Sequence, residues 1–138
     1  MVIQILDHIN DDIKQIRTDV FIEEQGFEVE FDDIDDIAKF VLLSIDGKGI
    51  GTCRFFPGEE DGDAHIGRMA VRKEYRGQHL GAKIMIAAEA AIRKEGYKSC
   101  SLSAQAQARP FYETLGYAAE GEEYLDEGCP HIFMRKVF

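Results

Sequence analysis

Apolar residues recur along this chain in two rhythms. Ile9, Ile13, Ile16 and Val20 keep the spacing of one helical face, and Leu80, Ile84, Ala87, Ala88, Ala91 and Ile92 repeat it over a longer stretch that closes at Gly96. Around them lie runs with the composition of strands: Val2 to Leu6, Phe40 to Ile45, Ile50 to Phe56, Ala64 to Val71, Lys98 to Ser103, Tyr117 to Tyr124 and Ile132 to Val137. A short helix is expected from Ala106 to Leu115, stopped at Gly116.

Polar punctuation sets the boundaries. Asn10 to Asp12 supply a cap and dipole-matched acids for the first helix, and Gly26 is expected to end it. An acid-rich loop then runs to about Ile37. Asp46-Gly47 between two apolar runs predicts a type I′ hairpin, which needs positive φ at both central positions, and a second reversal is expected from Glu59 to Asp63. The order is strand, helix, three strands, helix, strand, helix, two strands. Consecutive hairpins in the first half favour an α+β fold with a mixed, largely antiparallel sheet over a doubly wound one.

Bulk composition narrows the partners. At 138 residues the chain fits one domain over 1–138, with a core that buries roughly two thirds of the unfolded surface. The formal charge of −10 argues against a nucleic-acid partner, which calls for clustered Lys and Arg, and leaves amines and other cationic acceptors. Cys53, Cys100 and Cys129 are scattered, with neither CxxC spacing nor a zinc pattern, so no metal is expected and a reducing compartment is the default. With neither a leader signature nor a membrane-length apolar stretch, the expectation is a cytoplasmic protein without a membrane partner.

Two segments carry chemistry. Tyr75-Arg76-Gly77-Gln78-His79-Leu80-Gly81 lies between a strand and a long helix, where unpaired N–H groups and the positive dipole end suit a pyrophosphate. A tight turn entering a helix is the plainer alternative. Gln105-Ala106-Gln107-Ala108-Arg109-Pro110-Phe111-Tyr112-Glu113-Thr114-Leu115-Gly116-Tyr117 sets a Phe-Tyr pair in the second short helix.

Together these segments resemble the GNAT superfamily of acetyl-CoA-dependent N-acetyltransferases, whose motifs read Arg/Gln-x-x-Gly-x-Gly/Ala and later Asn-x-x-Ala-x-x-Phe-Tyr-x-x-x-Gly-Phe. The resemblance spans nearly the whole chain. Gly51-Thr52-Cys53-Arg54-Phe55, Ile66-Gly67-Arg68-Met69-Ala70-Val71 and Pro130-His131-Ile132-Phe133-Met134 point within it to the small bacterial ElaA/YjcF-like branch. The resemblance implies the acyl-CoA N-acyltransferase fold, with helices on both faces of the sheet. It also implies that the strand matching Met69-Ala70-Val71 splays from its neighbour to take the pantetheine arm, with an oxyanion donor near Ala70 or Val71.

The same resemblance gives Arg76, Gly77, Gln78, His79, Leu80, Gly81, Gln105 and Tyr112 to the cofactor, and makes Tyr112 the donor of a proton to the departing thiolate. Packing is the alternative for Tyr112. Two positions depart from the motifs: His79 stands where the first glycine belongs, and Gln105 where asparagine does. A left-handed His79 would cost roughly 1–2 kcal/mol.

The base that deprotonates the amine has several candidates. His65 matches the slot of the catalytic glutamate in the histone acetyltransferase branch and His131 lies in a Cys-Pro-His turn; an unperturbed histidine, with a pKa of about 6.5, can accept a proton at neutral pH. Glu28 or Glu30 acting through water, or no dedicated base, complete the set. The run from Glu28 to Asp36 reads first as a solvated loop, second as a lid for a cationic acceptor, and least as a calcium loop, since Ile37 falls where a calcium loop needs glycine. The implied activity is transfer of an acetyl group from acetyl-CoA to a primary amine, by direct attack in a ternary complex. The acceptor is a small-molecule amine or a peptide or protein amine. A non-catalytic acyl-CoA-binding sensor is the alternative, and the oligomeric state stays open at this stage.

Overall fold

The computed structural model describes residues 1–27 and 31–138. Seven strands, β1 (Val2–Leu6), β2 (Lys39–Ile45), β3 (Lys48–Pro57), β4 (Asp63–Val71), β5 (Ser99–Gln105), β6 (Ala118–Asp126) and β7 (Cys129–Val137), form one sheet in the order β1-β2-β3-β4-β5-β7-β6. Every neighbouring pair is antiparallel except β4 and β5. Among the described residues the α-helices are α1 (Asp11–Arg17), α2 (Leu80–Lys94) and α3 (Arg109–Thr114), and α2 is the crossover that makes β4 and β5 parallel.

Strand alternation divides the core into two layers. Phe40 and Leu42 of β2 turn toward Ile13 and Ile16 of α1, while Val41 and Leu43 turn toward the other face, where α2 contributes Leu80, Ile84, Met85, Ala88 and Ile92. Helices therefore cover both faces. Full burial of one such aliphatic side chain is worth roughly 1.5–3 kcal/mol.

The turn chemistry follows the sequence. Asp46 and Gly47 have φ of +52° and +78°, as a type I′ turn requires. The Asn10 side chain accepts the Ile13 N–H at 2.9 Å and starts α1. That helix is shorter than expected: after Arg17 the chain winds more widely, with π-helical turns over Thr18–Glu24 and Gln25 N–H bonded to Val20 C=O at 3.1 Å. From these wider turns Asp19 reaches Arg72 and Glu24 reaches Arg76, tying the segment to the connection that leads into α2.

The acid-rich loop departs from the solvated reading. Asp33–Asp36 is a single 3-10 turn, and the Asp35 carboxylate accepts from Arg17 at 2.9 and 3.1 Å and from Arg54 at 2.9 Å. Asp32 takes Arg54 at 2.6 and 3.1 Å and Arg68 at 3.2 Å. Arg17 and Arg54 are 1% and 4% exposed, so these acids are counter-ions to buried cations. Glu28 and Glu30 lie outside the described residues. The three cysteines are free thiols, and burial pushes Cys53 and Cys100 up to about 12 and about 11. No described helix is long and apolar enough to cross a membrane.

Candidate active site

β4 and β5 stay paired only from Asp63 to Ile66, opposite Ser99 to Leu102, and then part. The other edge of β4 is bulged at the same level. Thr52 pairs with Ala70 and Arg54 with Gly67, so Cys53 faces both Arg68 and Met69, and Arg68 takes a left-handed φ of +50°. A bulge bends and twists its strand, which turns β4 away from β5. The N–H of Arg72 donates to Ile50 of β3, so by strand alternation Ala70 also points to β3 while Val71 points into the opening. The C=O of Val71 is taken by the Arg76 Nε–H at 3.0 Å. Of the two expected oxyanion donors, the geometry leaves Val71 available.

The opening widens into a cavity of about 610 Å³ whose lining includes Met69, Gln105, Tyr112, His65 and His131. Five residues distant in sequence thus share one space. Tyr112 is 9% exposed, its ring meeting Phe111 and Tyr117 edge-on at 4.9 and 6.0 Å. Among the described residues its hydroxyl has no hydrogen-bond partner, and burial pushes the phenol up to about 12. Gln105 ends β5 opposite His131, and its side-chain oxygen accepts from Gln107 at 2.5 Å.

Both histidines have one ring nitrogen engaged. His131, 8% exposed, donates from Nδ1 to the Cys129 carbonyl at 2.8 Å. His65 Nδ1 lies 3.0 Å from Ser101 Oγ, and its ring sits between Phe56 and Phe133, with centroids at 5.4 and 6.1 Å. Burial holds the His65 imidazole below its ordinary 6.5, opposed by the Asp63 and Glu59 charges and assisted by Arg54. At neutral pH it is a free base.

The glycine-arginine run is not part of the cavity lining and starts α2 instead. Arg76, Gly77, Gln78 and His79 are exposed, whereas Leu80 anchors the helix in the core and offers only its main chain. His79 caps α2 in the left-handed conformation, φ +60° and ψ 22°, with no side-chain hydrogen bond to the helix, and the first turn holds no acid. The first N–H groups of α2 therefore lack a side-chain cap from His79. Gly77, at φ +83°, has no atom within 4 Å of where a Cβ would stand, which leaves room for a phosphate. The fit to the diphosphate of an acyl-CoA is good.

A second cavity of about 540 Å³ adjoins the first and shares Phe56, His65, Ser103 and Asp126 with it. Sequence reading missed this cleft, although Ser99, Ser101, Ser103 and Gln105 form a period-two polar stripe on β5 that marks a strand face not committed to the core. Five carboxylates against one guanidinium, Arg135, line it.

The mixed seven-stranded sheet, with helices on both faces and a parting between β4 and β5, has the fold of the acyl-CoA N-acyltransferases. The chain belongs to the GNAT family: the family model described as an acetyltransferase (GNAT) domain matches residues 7–138. The chain is 35% identical over 124 residues to the uncharacterized N-acetyltransferase YjcF of Bacillus subtilis, spanning 88% of this chain and 87% of that one. Its fold matches the crystal structure of Escherichia coli ElaA with a TM-score of 0.86 at 25% identity, over 98% of each chain. An acyl-CoA N-acyltransferase from Pseudomonas aeruginosa matches with a TM-score of 0.88 at 27% identity, over 99% of each. The family draws its acyl group from an acyl-CoA.

Proposed function

We propose that this protein transfers an acetyl group from acetyl-CoA to a primary amine by direct attack in a ternary complex. One observation carries the reading: where β4 leaves β5, Tyr112, His65 and an unpaired strand edge face a single cavity. The start of α2, with Gly77 and Arg76, holds the diphosphate. The parted edge of β4 takes the pantetheine amides as an additional strand would.

His65 Nε2 accepts a proton from the acceptor ammonium, and the freed amine forms an N–C bond with the thioester carbon. The Val71 N–H stabilises the oxyanion that develops. Collapse breaks the C–S bond as Tyr112 passes its phenolic proton to the sulfur. The phenolate, being the conjugate base of a group near 12, takes back a proton from the acceptor nitrogen, so Tyr112 ends as it began. His65 releases its proton to water. The excess of carboxylates in the adjoining cleft favours an acceptor that arrives as a cation.

The test is a panel of amines and peptides with purified protein and acetyl-CoA, following free thiol. Acceptor-dependent thiol release with N-acetylated product supports the reading. Tight acetyl-CoA binding without turnover on any cationic acceptor would replace it with a sensor of the cofactor.

A further inference from the structure

Over their paired segment β4 and β5 bring like positions together, with His65 opposite Ser101 and Asp63 opposite Ser99. Asp63 and Ser101 are 3% and 1% exposed. Ser99 Oγ donates to one Asp63 oxygen at 2.7 Å, and Ser101 Oγ donates to the other at 2.6 Å. A hydroxyl has a single proton. With that proton given to the carboxylate, Ser101 can only accept at the 3.0 Å contact with His65, so Nδ1 of the imidazole carries the hydrogen. Nε2 then holds the lone pair, on a ring that lines both cavities.

We propose that Ser101 and Asp63 are positioning residues for acyl transfer, a buried carboxylate acting through a serine to fix His65 in its base-competent tautomer and to stabilise the imidazolium formed when Nε2 takes the amine proton. This rests on His65 being the base. No proton leaves Nδ1, so the serine and the carboxylate position the ring and take no proton from it. Phe56 and Phe133 hold the ring between them, so the hydrogen-bond chain sets the tautomer while the aromatic rings set the plane. The charged groups that face His65 are Asp63 from its own strand, Arg54 from β3 and Glu59 from the β3–β4 turn. Arg135 of β7 lies 3.6 Å from Asp63 and also pairs with Glu60 and Glu120, so it is shared among three acids.

The experiment reads the His65 ring by ¹⁵N NMR in the full-length protein, alongside kcat/KM against pH, for wild type, Ser101→Ala, Asp63→Asn and His65→Gln. Circular dichroism and acetyl-CoA affinity confirm the fold of each. Wild type is expected to show the Nδ1–H tautomer above its titration. Ser101→Ala should mix the tautomers and lower the kcat plateau about tenfold or more, with KM for acetyl-CoA unchanged. Asp63→Asn should do the same and also move the acidic limb to lower pH, because a charge that favours imidazolium is gone. If both variants keep the tautomer, the limb and the rate while His65→Gln abolishes the limb, the base reading stands and the positioning role falls. If His65→Gln leaves rate and limb intact, the base reading falls and takes this role with it. An Nε2–H tautomer in wild type overturns the hydrogen-bond chain directly.

Discussion

Arg76 and Glu24 form a two-pronged ion pair, with the guanidinium nitrogens 2.6 and 2.7 Å from the two carboxylate oxygens. The hydrogen bond from Arg76 holds the Glu24 carboxyl below its ordinary range. Both side chains are well exposed, so the pair is worth no more than about 1 kcal/mol, and an incoming diphosphate can compete for the guanidinium. Glu24→Gln should therefore tighten coenzyme A binding by no more than about fivefold. Arg76→Gln should weaken it by roughly 10- to 100-fold, the worth of a charge-assisted hydrogen bond. Titration calorimetry checks both, and unchanged affinity in Arg76→Gln would remove Arg76 from the cradle.

Gly81 sits in the first turn of α2, where a Cβ would stand 3.5 Å from the half-exposed Phe111 ring. Gly81→Val should fold, because Phe111 can yield, and should obstruct the approach to the helix start. Saturation of the wild type at a hundredfold excess over Kd stabilises it by about 2.7 kcal/mol, seen as a rise in Tm. The variant should lose that rise. A full thermal shift in Gly81→Val would move the diphosphate elsewhere.

Tyr112→Phe removes a hydroxyl that bonds to nothing else among the described residues, and keeps the ring packing on Phe111 and Tyr117. Stability and acetyl-CoA affinity should hold, while kcat falls 10²- to 10⁴-fold. Turnover at the wild-type rate would return Tyr112 to a packing role.

The acidic limb of kcat/KM should lie below pH 6.5, since burial lowers the His65 imidazole and only its neutral form accepts a proton. Activity rises with pH through that limb, and the acceptor amine adds a separate limb at higher pH. His65→Gln should remove the lower limb and depress the plateau, whereas His131→Gln should leave the profile's shape. Loss of the limb in His131→Gln alone reverses the assignment. Persistence in both variants points to Glu28 or Glu30.

Local features of the chain were legible because local chemistry dictates them. The Asp46-Gly47 turn, the Asn10 cap and the apolar stripe of α2 all follow from the preferences of residues adjacent in sequence. The site was legible only in part. Met69, Gln105 and Tyr112, named from their motifs, do line one cavity, but Arg68 at a positive φ gives no warning of the bulge that opens β4 from β5. Likewise Asp63, Ser101 and His65 meet through strand register, which the spacing of any one segment leaves unspecified. The acid run misled because its partners, Arg17 and Arg54, lie far away, although an arginine within each apolar pattern was a readable sign that a counter-ion was needed.

Those buried cations make Asp35 a stability determinant. Burial raises its pKa, yet the hydrogen bonds and charges of Arg17 and Arg54 outweigh that and leave it below 3.8; the Arg54 hydrogen bond likewise lowers Asp32. Carboxyls depressed on folding add stability that is complete above about pH 4 and fades as pH falls through their folded values. Asp35→Asn should cost about 3–5 kcal/mol at pH 7, the penalty of breaking a buried pair. Urea midpoints at pH 7 and pH 3 should converge in the variant relative to wild type. A midpoint at pH 7 matching wild type would show that Asp35 is dispensable to the cations.

β6 is the outermost strand beyond β7, and nearly all of its side chains are exposed. Its free edge is a template onto which another chain's strand could add. Glu122, Glu123 and Asp126 stand along it, so two molecules approaching edge to edge bring like charges together. The same acidity that would suit the proposed cationic acceptor thus sets like charges between two such edges, and colloidal stability should be lowest as the pH approaches the pI of about 4.8, where net charge vanishes.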